Sequence, residues 1–348
     1  MLPVTPNVSR GTIGARARRL VPTPVRRVAA RLVSERRASA IQRELAALAA
    51  AGKPIVAGPW LGEVGFELLY WVPFLRWFAE QYGVPPERII AVSRGGAAAA
   101  WYTSFAGRSY DALSFISPNE FKRRNFDRSG SLGEQKQVAL TPLDEEIVDF
   151  VRKAEGRDVS LLHPSMMYRL YGPYWWGHQP LEWLRTYARF ARLQPPALNV
   201  DLPADYTAVK FYFNDCFTDA VENRTFVDRT VRNLTAEGPV ISLSTGVAVD
   251  DHDPCEPDIA AMRGIGHLLT PDSNLLVQSA IVAGARRFVG TYGGFAYLAP
   301  LCGVPALSYY SKPESFSKRH LDLIRDVLRV DGQLGLLDVV EVGKRPGR

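Results

Sequence analysis

The run from Arg286 to Ser308, RRFVGTYGGFAYLAPLCGVPALS, constrains the fold more than any other stretch of the chain. Apolar Phe288 and Val289 read as a buried strand, Gly293-Gly294 as a sharp turn, and the small and apolar residues Phe295 to Leu301 as a short helix. A Gly-Val-Pro break and a second apolar strand at Ala306 and Leu307 complete the unit. Two glycines between a strand end and a helix start let a ligand approach bare backbone. The first amides of that helix lack intrahelical partners, which suits an anion, above all a phosphate. An ordinary tight turn would use the same residues, since short glycine motifs are weak by themselves. What sets this one apart is a second Gly-rich strand-to-helix junction at 58–67.

The rest of the chain repeats the same rhythm. Apolar strands are expected at 54–60, 87–93 and 159–164, with helices at 41–51, 65–81 and 143–156, the second kinked at Pro73. Arg94-Gly95-Gly96 forms a loop before the Ala-rich helix that follows the second strand. Residues 117–137 read as a polar loop. The segment 165–192, dense in Tyr and Trp, is either a sugar-stacking platform or aromatic packing between domains. A Pro-rich joint at 194–206 precedes a restart: strands at 207–213, 239–245 and 267–270, helices at 222–238 and 271–285, and a closing helix at 317–330. Strands alternating with helices in both halves predict an α/β protein of two Rossmann-like parallel-sheet domains facing a cleft. The expected division is a basic arm over 1–50, one domain over 51–195 and a second over 205–330.

Charge separates the arm from the body. Residues 1–50 hold ten arginines against Glu35 and Glu44, a balance of +8 where the whole chain carries +6, so the remainder is −2. No basic stripe interleaved with aromatics runs through the body, which argues against a nucleic-acid partner. Leu20, Val21, Val25, Val28, Ala29, Leu32 and Val33 recur at roughly helical spacing among arginines. Such an arm either lies on an anionic membrane surface or is a solvated leader. The start lacks the uninterrupted apolar core of a signal peptide, and no apolar run is long enough to span a bilayer, so a cytoplasmic location is expected. Cys216, Cys255 and Cys302 are dispersed and suggest neither a zinc site nor a disulfide framework.

With those residues in hand, a resemblance can be named. NLLVQSAIVAGARRFVGTYGGFAYLAPLCGVPALSYYS is similar to the donor-binding half of GT-B glycosyltransferases, particularly the heptosyltransferase and fucosyltransferase-like groups. GPWLGEVGFELLYW resembles the Gly-rich first loop of the same fold, and the likeness covers about residues 54–328. Where heptosyltransferases carry Asp-Ser-Gly, this chain has Thr291-Tyr292-Gly293-Gly294. The resemblance implies a nucleotide-sugar co-substrate, a glycan or lipid-linked acceptor, no further cofactor and no catalytic metal.

It also implies roles for individual residues. Glu63 and Glu67 flank Gly65, and Glu63, on the loop with Gly62, is the expected base for an inverting displacement. Glu67 is either a second catalytic carboxylate or a charge stabilising the helix start. Lys210, odd in an apolar strand, and Arg224 would reach the diphosphate beside Thr291, Tyr292, Gly293 and Gly294. Asp272, with Ser273, is an N-cap or a ribose contact. Asp250, Asp251, His252 and Asp253 read as a solvated loop or a base or ribose contact, and His163 and His178 as packed. Two other readings stay open: a nucleotide-sugar epimerase or hydrolase of the same fold, and a non-catalytic carbohydrate- or nucleotide-binding protein. A Rossmann dehydrogenase is disfavoured, because no G-x-G-x-x-G follows an early strand.

Overall fold

The computed structural model describes residues 23–132, 136–244 and 253–343. Helix α1 (Thr23–Ala50) is continuous, longer than the 41–51 helix expected from the sequence. Ala38, Ile41, Leu45 and Ala49 recur every three or four residues and are buried, so its second half docks on the first domain, while Leu32 and Val33 are exposed. Residues 1–22 of the arm lie outside the described residues. Among the described residues no helix is long and apolar enough to cross a membrane.

The first sheet is built from β1 (Ile55–Ala57), β2 (Ile89–Ser93), β3 (Arg108–Asp111) and β4 (Ser160–Leu162) in the order β3-β2-β1-β4. Every pairing is parallel, and β1 and β2 are buried on both faces, which is why they read as unbroken apolar runs. Helix α2 follows β1 as Val64–Phe66, a π-helical turn Glu67–Trp71, and Val72–Gln81. Pro73 has no N–H to close a bond onto the carbonyl of Leu69, and the widened turn lies immediately upstream of it. Then come α3 (Ala97–Trp101), α4 (Pro118–Leu132) and α5 (Pro142–Glu155). The polar loop expected over 117–137 is therefore largely helix: Phe121 anchors α4 in the core, and Arg123 and Arg124 pair with Glu120 along its exposed face. The aromatic segment forms α6 (Pro164–Trp175) and α7 (Leu181–Thr186).

The second sheet has the order β12-β11-β10-β5-β7-β9, again parallel throughout. Its strands are β5 (Thr207–Lys210), β7 (Val240–Ser242), β9 (Met262–Gly264), β10 (Arg287–Thr291), β11 (Ala306–Tyr310) and β12 (Leu337–Glu341). A side ribbon pairs β6 (Tyr212–Phe213) with β8 (Asp253–Pro254). The helices are α8 (Val221–Glu237), α9 (Asn274–Gly284), α10 (Gly294–Leu301) and α11 (Lys318–Val330). The strand expected at 267–270 is instead β9, a few residues earlier, followed by a 3-10 turn at Gly266–Leu268.

From β5 the chain builds outward through β7 and β9, then returns to place β10 on the other side of β5 and continues through β11 and β12. This reversal opens a crevice outside the carboxyl ends of β5 and β10, where Gly290 is in register with Lys210. The two sheets are joined below it by a shared apolar core that includes Leu68 and Trp71 from one half and Phe288 and Leu298 from the other. Trp101 Nε1 donates to Ser279 Oγ at 3.0 Å, and the Leu275 N–H donates to the Gly95 carbonyl at 2.6 Å, so polar groups at this junction are paired as well.

Candidate active site

Above that junction lies a cleft of ≈ 610 Å³ lined from both halves. Two helices begin at its base. Helix α10 starts at Gly294, directly after β10, and α2 starts at Val64, with Glu63 in the N-cap position. The glycines are there for space. Gly293 has φ 163°, extended backbone open to any residue, but a Cβ on it would run into the Tyr212 hydroxyl. A Cβ on Gly294 would stand 2.8 Å from Val64 Cγ1 and 2.9 Å from the Gly65 nitrogen. A Cβ on Gly65 would stand 3.4 Å from Gly294 Cα. The two glycine loops are thus in contact, and both helix starts open on one cleft. Positive dipole ends and unpaired first-turn amides converge there, an arrangement that favours an anion.

Lys210 ends β5 beside this point and lines the cleft. Its Nζ donates to Gln278 Oε1 at 2.5 Å and sits 4.1 Å from the centre of the Phe295 ring. The Gln278 amide nitrogen is held by the Asn274 carbonyl and Oδ1 at 3.0 and 2.9 Å, which turns its oxygen toward the lysine. A cation in an otherwise apolar strand is thereby held at the mouth of the switch point.

Glu63 is exposed and lines the cleft, as do Gly62 and Gly65. The loop is braced from behind: buried Arg94 donates through Nη2 to the Gly62 carbonyl at 2.8 Å, and Trp60 Nε1 reaches the Glu63 carbonyl at 3.3 Å. Glu67 is placed differently. It is fully buried beneath the helix, where Ser93 Oγ and Tyr102 Oη each donate to Oε1 at 2.5 Å. Burial raises its pKa to about 7 against the opposing pull of those hydrogen bonds and of Arg94. Its carboxylate belongs to the interior of the first domain and is absent from the cleft wall, which corrects the catalytic role expected for it.

Tyr292 lines the cleft, stacked on Phe316 at 4.7 Å with Tyr297 edge-on at 5.5 Å. Thr291 is buried just behind; its Oγ1 accepts the Tyr212 N–H at 3.1 Å and donates to the Tyr212 carbonyl at 2.9 Å, so it fastens β6 to β10. Thr291 is thus a structural residue and not a cleft contact, and two further expected donor contacts also lie outside the lining. Arg224 is exposed on α8, pairs with Asp219 through two contacts of 2.6 Å and covers the Phe213 ring, outside the cleft lining. Asp272 is exposed at the junction with α3, accepting from Thr270 Oγ1 at 2.7 Å and Ser114 Oγ at 3.5 Å. Ser273, not Asp272, holds the N-cap position of α9, without a side-chain cap bond. Residues 250–252 fall outside the described residues, whereas the backbone of Asp253 pairs with β6. Among the described residues no group of three or more His, Cys, Asp or Glu side chains could hold a metal ion.

The cleft also recruits residues the sequence reading passed over: Lys122 and Arg128 from α4, Lys136 just beyond it, and His320 from α11. Helix α11 packs back on the π-helical turn of α2, and Tyr70 Oη lies 2.5 Å from His320 Nδ1. Burial, and then the charge of Lys136, lowers the His320 pKa to about 4. A signal was present: His320 heads the stripe continued by buried Ile324, Val327 and Leu328. The aromatic segment divides its residues: Tyr168 lines the cleft, whereas Tyr171 and Tyr174 pack in the core and Trp176 is exposed.

No protein-family model matches the chain, and no curated protein matches it in sequence. Among solved structures it is similar to the iron-containing dodecameric glycosyltransferase TibC from enterotoxigenic E. coli H10407, at 12% identity and a TM-score of 0.40, covering 74% of this chain and 58% of that one. It is also similar to the E. coli heptosyltransferase WaaC, at 11% identity and a TM-score of 0.35, covering 76% and 90%. A candidate UDP-N-acetylglucosamine 2-epimerase from Listeria monocytogenes gives 8% identity and a TM-score of 0.31, covering 81% and 88%. The chain spans 58% of the length of the TibC chains. At these scores the likeness is loose, and the two-sheet architecture stands on its own strand order and register.

Proposed function

We propose that the protein is a glycosyltransferase that binds a nucleotide-sugar in this cleft and moves the sugar to a glycan or lipid-linked acceptor. The observation that carries the reading is the meeting of two helix starts, at Val64 and Gly294, with Lys210 beside them at the switch point of the second sheet. A diphosphate there would be met by the amides that begin α10 and by the Lys210 ammonium. Glu63, on the first-domain loop that meets the start of α10, would take the proton of the acceptor hydroxyl. As that oxygen bonds to the anomeric carbon, the bond from carbon to phosphate oxygen breaks, and its electron pair leaves on the diphosphate. Attack from the side opposite the leaving group inverts the anomeric configuration.

The test is a thermal-shift series with UDP, GDP, ADP and their sugar conjugates, followed by donor turnover with and without glycan acceptors. A ligand that binds only the folded state raises the melting temperature, by about 2.7 kcal/mol of added stability at a hundredfold excess over its dissociation constant. One nucleotide should stabilise the protein, and its sugar conjugate should be consumed faster when an acceptor is present. Turnover independent of any acceptor would favour an epimerase or hydrolase, and no shift with any nucleotide would remove the reading.

A further inference from the structure

His320 is a member of the cleft wall that comes from α11, the helix that returns from the second domain to pack on α2. Its ring stands edge-on to Phe66 at 4.9 Å, and Phe66 directly follows Gly65, the residue in contact with Gly294. The imidazole therefore packs on the first turn of α2, in the wall of the same cleft that both helix starts line. Its Nδ1 is occupied by Tyr70 Oη at 2.5 Å, while Nε2 has no hydrogen-bond partner among the described residues.

The direction of the Tyr70 bond follows from the two groups. A phenol is a better donor than a neutral imidazole N–H, and an imidazole nitrogen is a better acceptor than a phenol oxygen. Tyr70 is completely buried, which drives its pKa far upward and keeps its hydroxyl protonated. The hydroxyl therefore donates to Nδ1 and leaves the ring hydrogen on Nε2. The charged groups around the ring are accounted for. Lys136 lies 5.5 Å from the centre of the Phe66 ring and 5.6 Å from that of Trp175; on α11 itself, Arg319 donates to the Tyr174 carbonyl and Asp322 pairs with Lys318 at 2.6 Å. Lys136 makes the surroundings positive, which suits an electron-rich oxygen as the partner of Nε2.

Resting on the nucleotide-sugar reading above, we propose that His320 is a ligand-binding residue of this cleft: Tyr70 fixes its tautomer, and its Nε2–H donates to an oxygen of the bound nucleotide-sugar. Two measurements test this. The first needs no ligand. In a ¹⁵N-histidine-labelled protein the chain has 5 histidines, and the His320 signals are those lost in His320→Asn. At pH 7 they should report a neutral ring with the hydrogen on Nε2; the opposite tautomer or a cationic ring overturns the proposal.

The second measurement is the affinity for the nucleoside diphosphate that stabilises the protein most, and for its sugar conjugate. His320→Asn keeps an amide at the level of Nδ1 and nothing at Nε2, and should bind about tenfold more weakly. His320→Gln extends an amide N–H to the level of Nε2 and should stay within about threefold of the parent protein. Loss on both ligands places the partner oxygen on the diphosphate, and loss on the conjugate alone places it on the sugar. Unchanged binding in His320→Asn, or equal weakening in both variants, overturns the proposal while leaving the nucleotide-sugar reading standing. A parent protein that binds no nucleotide removes that reading and this role together.

Discussion

Gly294 rests against Gly65 so closely that a methyl group on Gly294 would stand 2.9 Å from the Gly65 nitrogen. This contact brings the starts of α2 and α10 to one place, and it joins the second domain to the loop that carries Glu63. Gly294→Ala should therefore force the two loops apart. We expect a loss of about 1–3 kcal/mol in urea unfolding, the usual cost of overpacking, together with loss of nucleotide binding. Gly266→Ala, where a Cβ meets nothing within 4 Å, is the control and should leave both unchanged. An unaffected Gly294→Ala protein would show that the helix starts do not need this close approach.

Lys210 and Arg224 separate a cleft cation from a surface one. Lys210→Met should weaken nucleoside diphosphate binding by roughly 10- to 100-fold, the range of a hydrogen bond to a charged group. Arg224→Ala, which removes an exposed pair with Asp219, should leave both the urea midpoint and the affinity as in the parent protein. Calorimetric titration of both variants decides it, and equal effects would move the diphosphate away from β5.

Glu63→Gln keeps the shape of the loop and removes the proton acceptor. Turnover of the nucleotide-sugar in the presence of acceptor should fall about 10²- to 10⁴-fold, while the thermal shift by the nucleoside diphosphate stays as in the parent protein. Full activity in this variant would assign the base elsewhere.

Glu67 predicts a pH dependence of stability. Its pKa is about 7 when folded, against 4.5 as the ordinary value, so between these values the folded protein holds a proton that the unfolded chain has released. Stability from this group is complete below pH 4.5, falls as pH rises through about 7, and amounts to roughly 3 kcal/mol over that window at 1.36 kcal/mol per pH unit. Glu67→Gln cannot ionise and should flatten the decline, read as urea midpoints between pH 5 and 8. Parallel curves for the two proteins would contradict the burial of this carboxyl.

Much of this architecture was written locally. Apolar runs flanked by glycine gave β1, β2 and β10, and Pro73 marked the disturbance in α2, because strand burial and proline geometry act over a few residues. The misreadings share one cause. The 117–137 segment has loop-like composition, yet Phe121 gives α4 a buried anchor that only the packed domain supplies. Short, half-exposed β3, β9 and β12 lack a strong pattern and form because a neighbouring strand offers a parallel edge.

The chain by itself determined that two parallel sheets would form and that each would carry a glycine-rich turn before a helix, since periodicity and backbone freedom are local properties. Tertiary structure decided which side chains share the cleft. It sent Glu67 into the interior toward Ser93 and Tyr102, left Arg224 on the surface with Asp219, and brought His320 across from the last helix to Tyr70. Those choices depend on how one helix lies over another, and residues 250 positions apart meet only when both domains have closed around the same core.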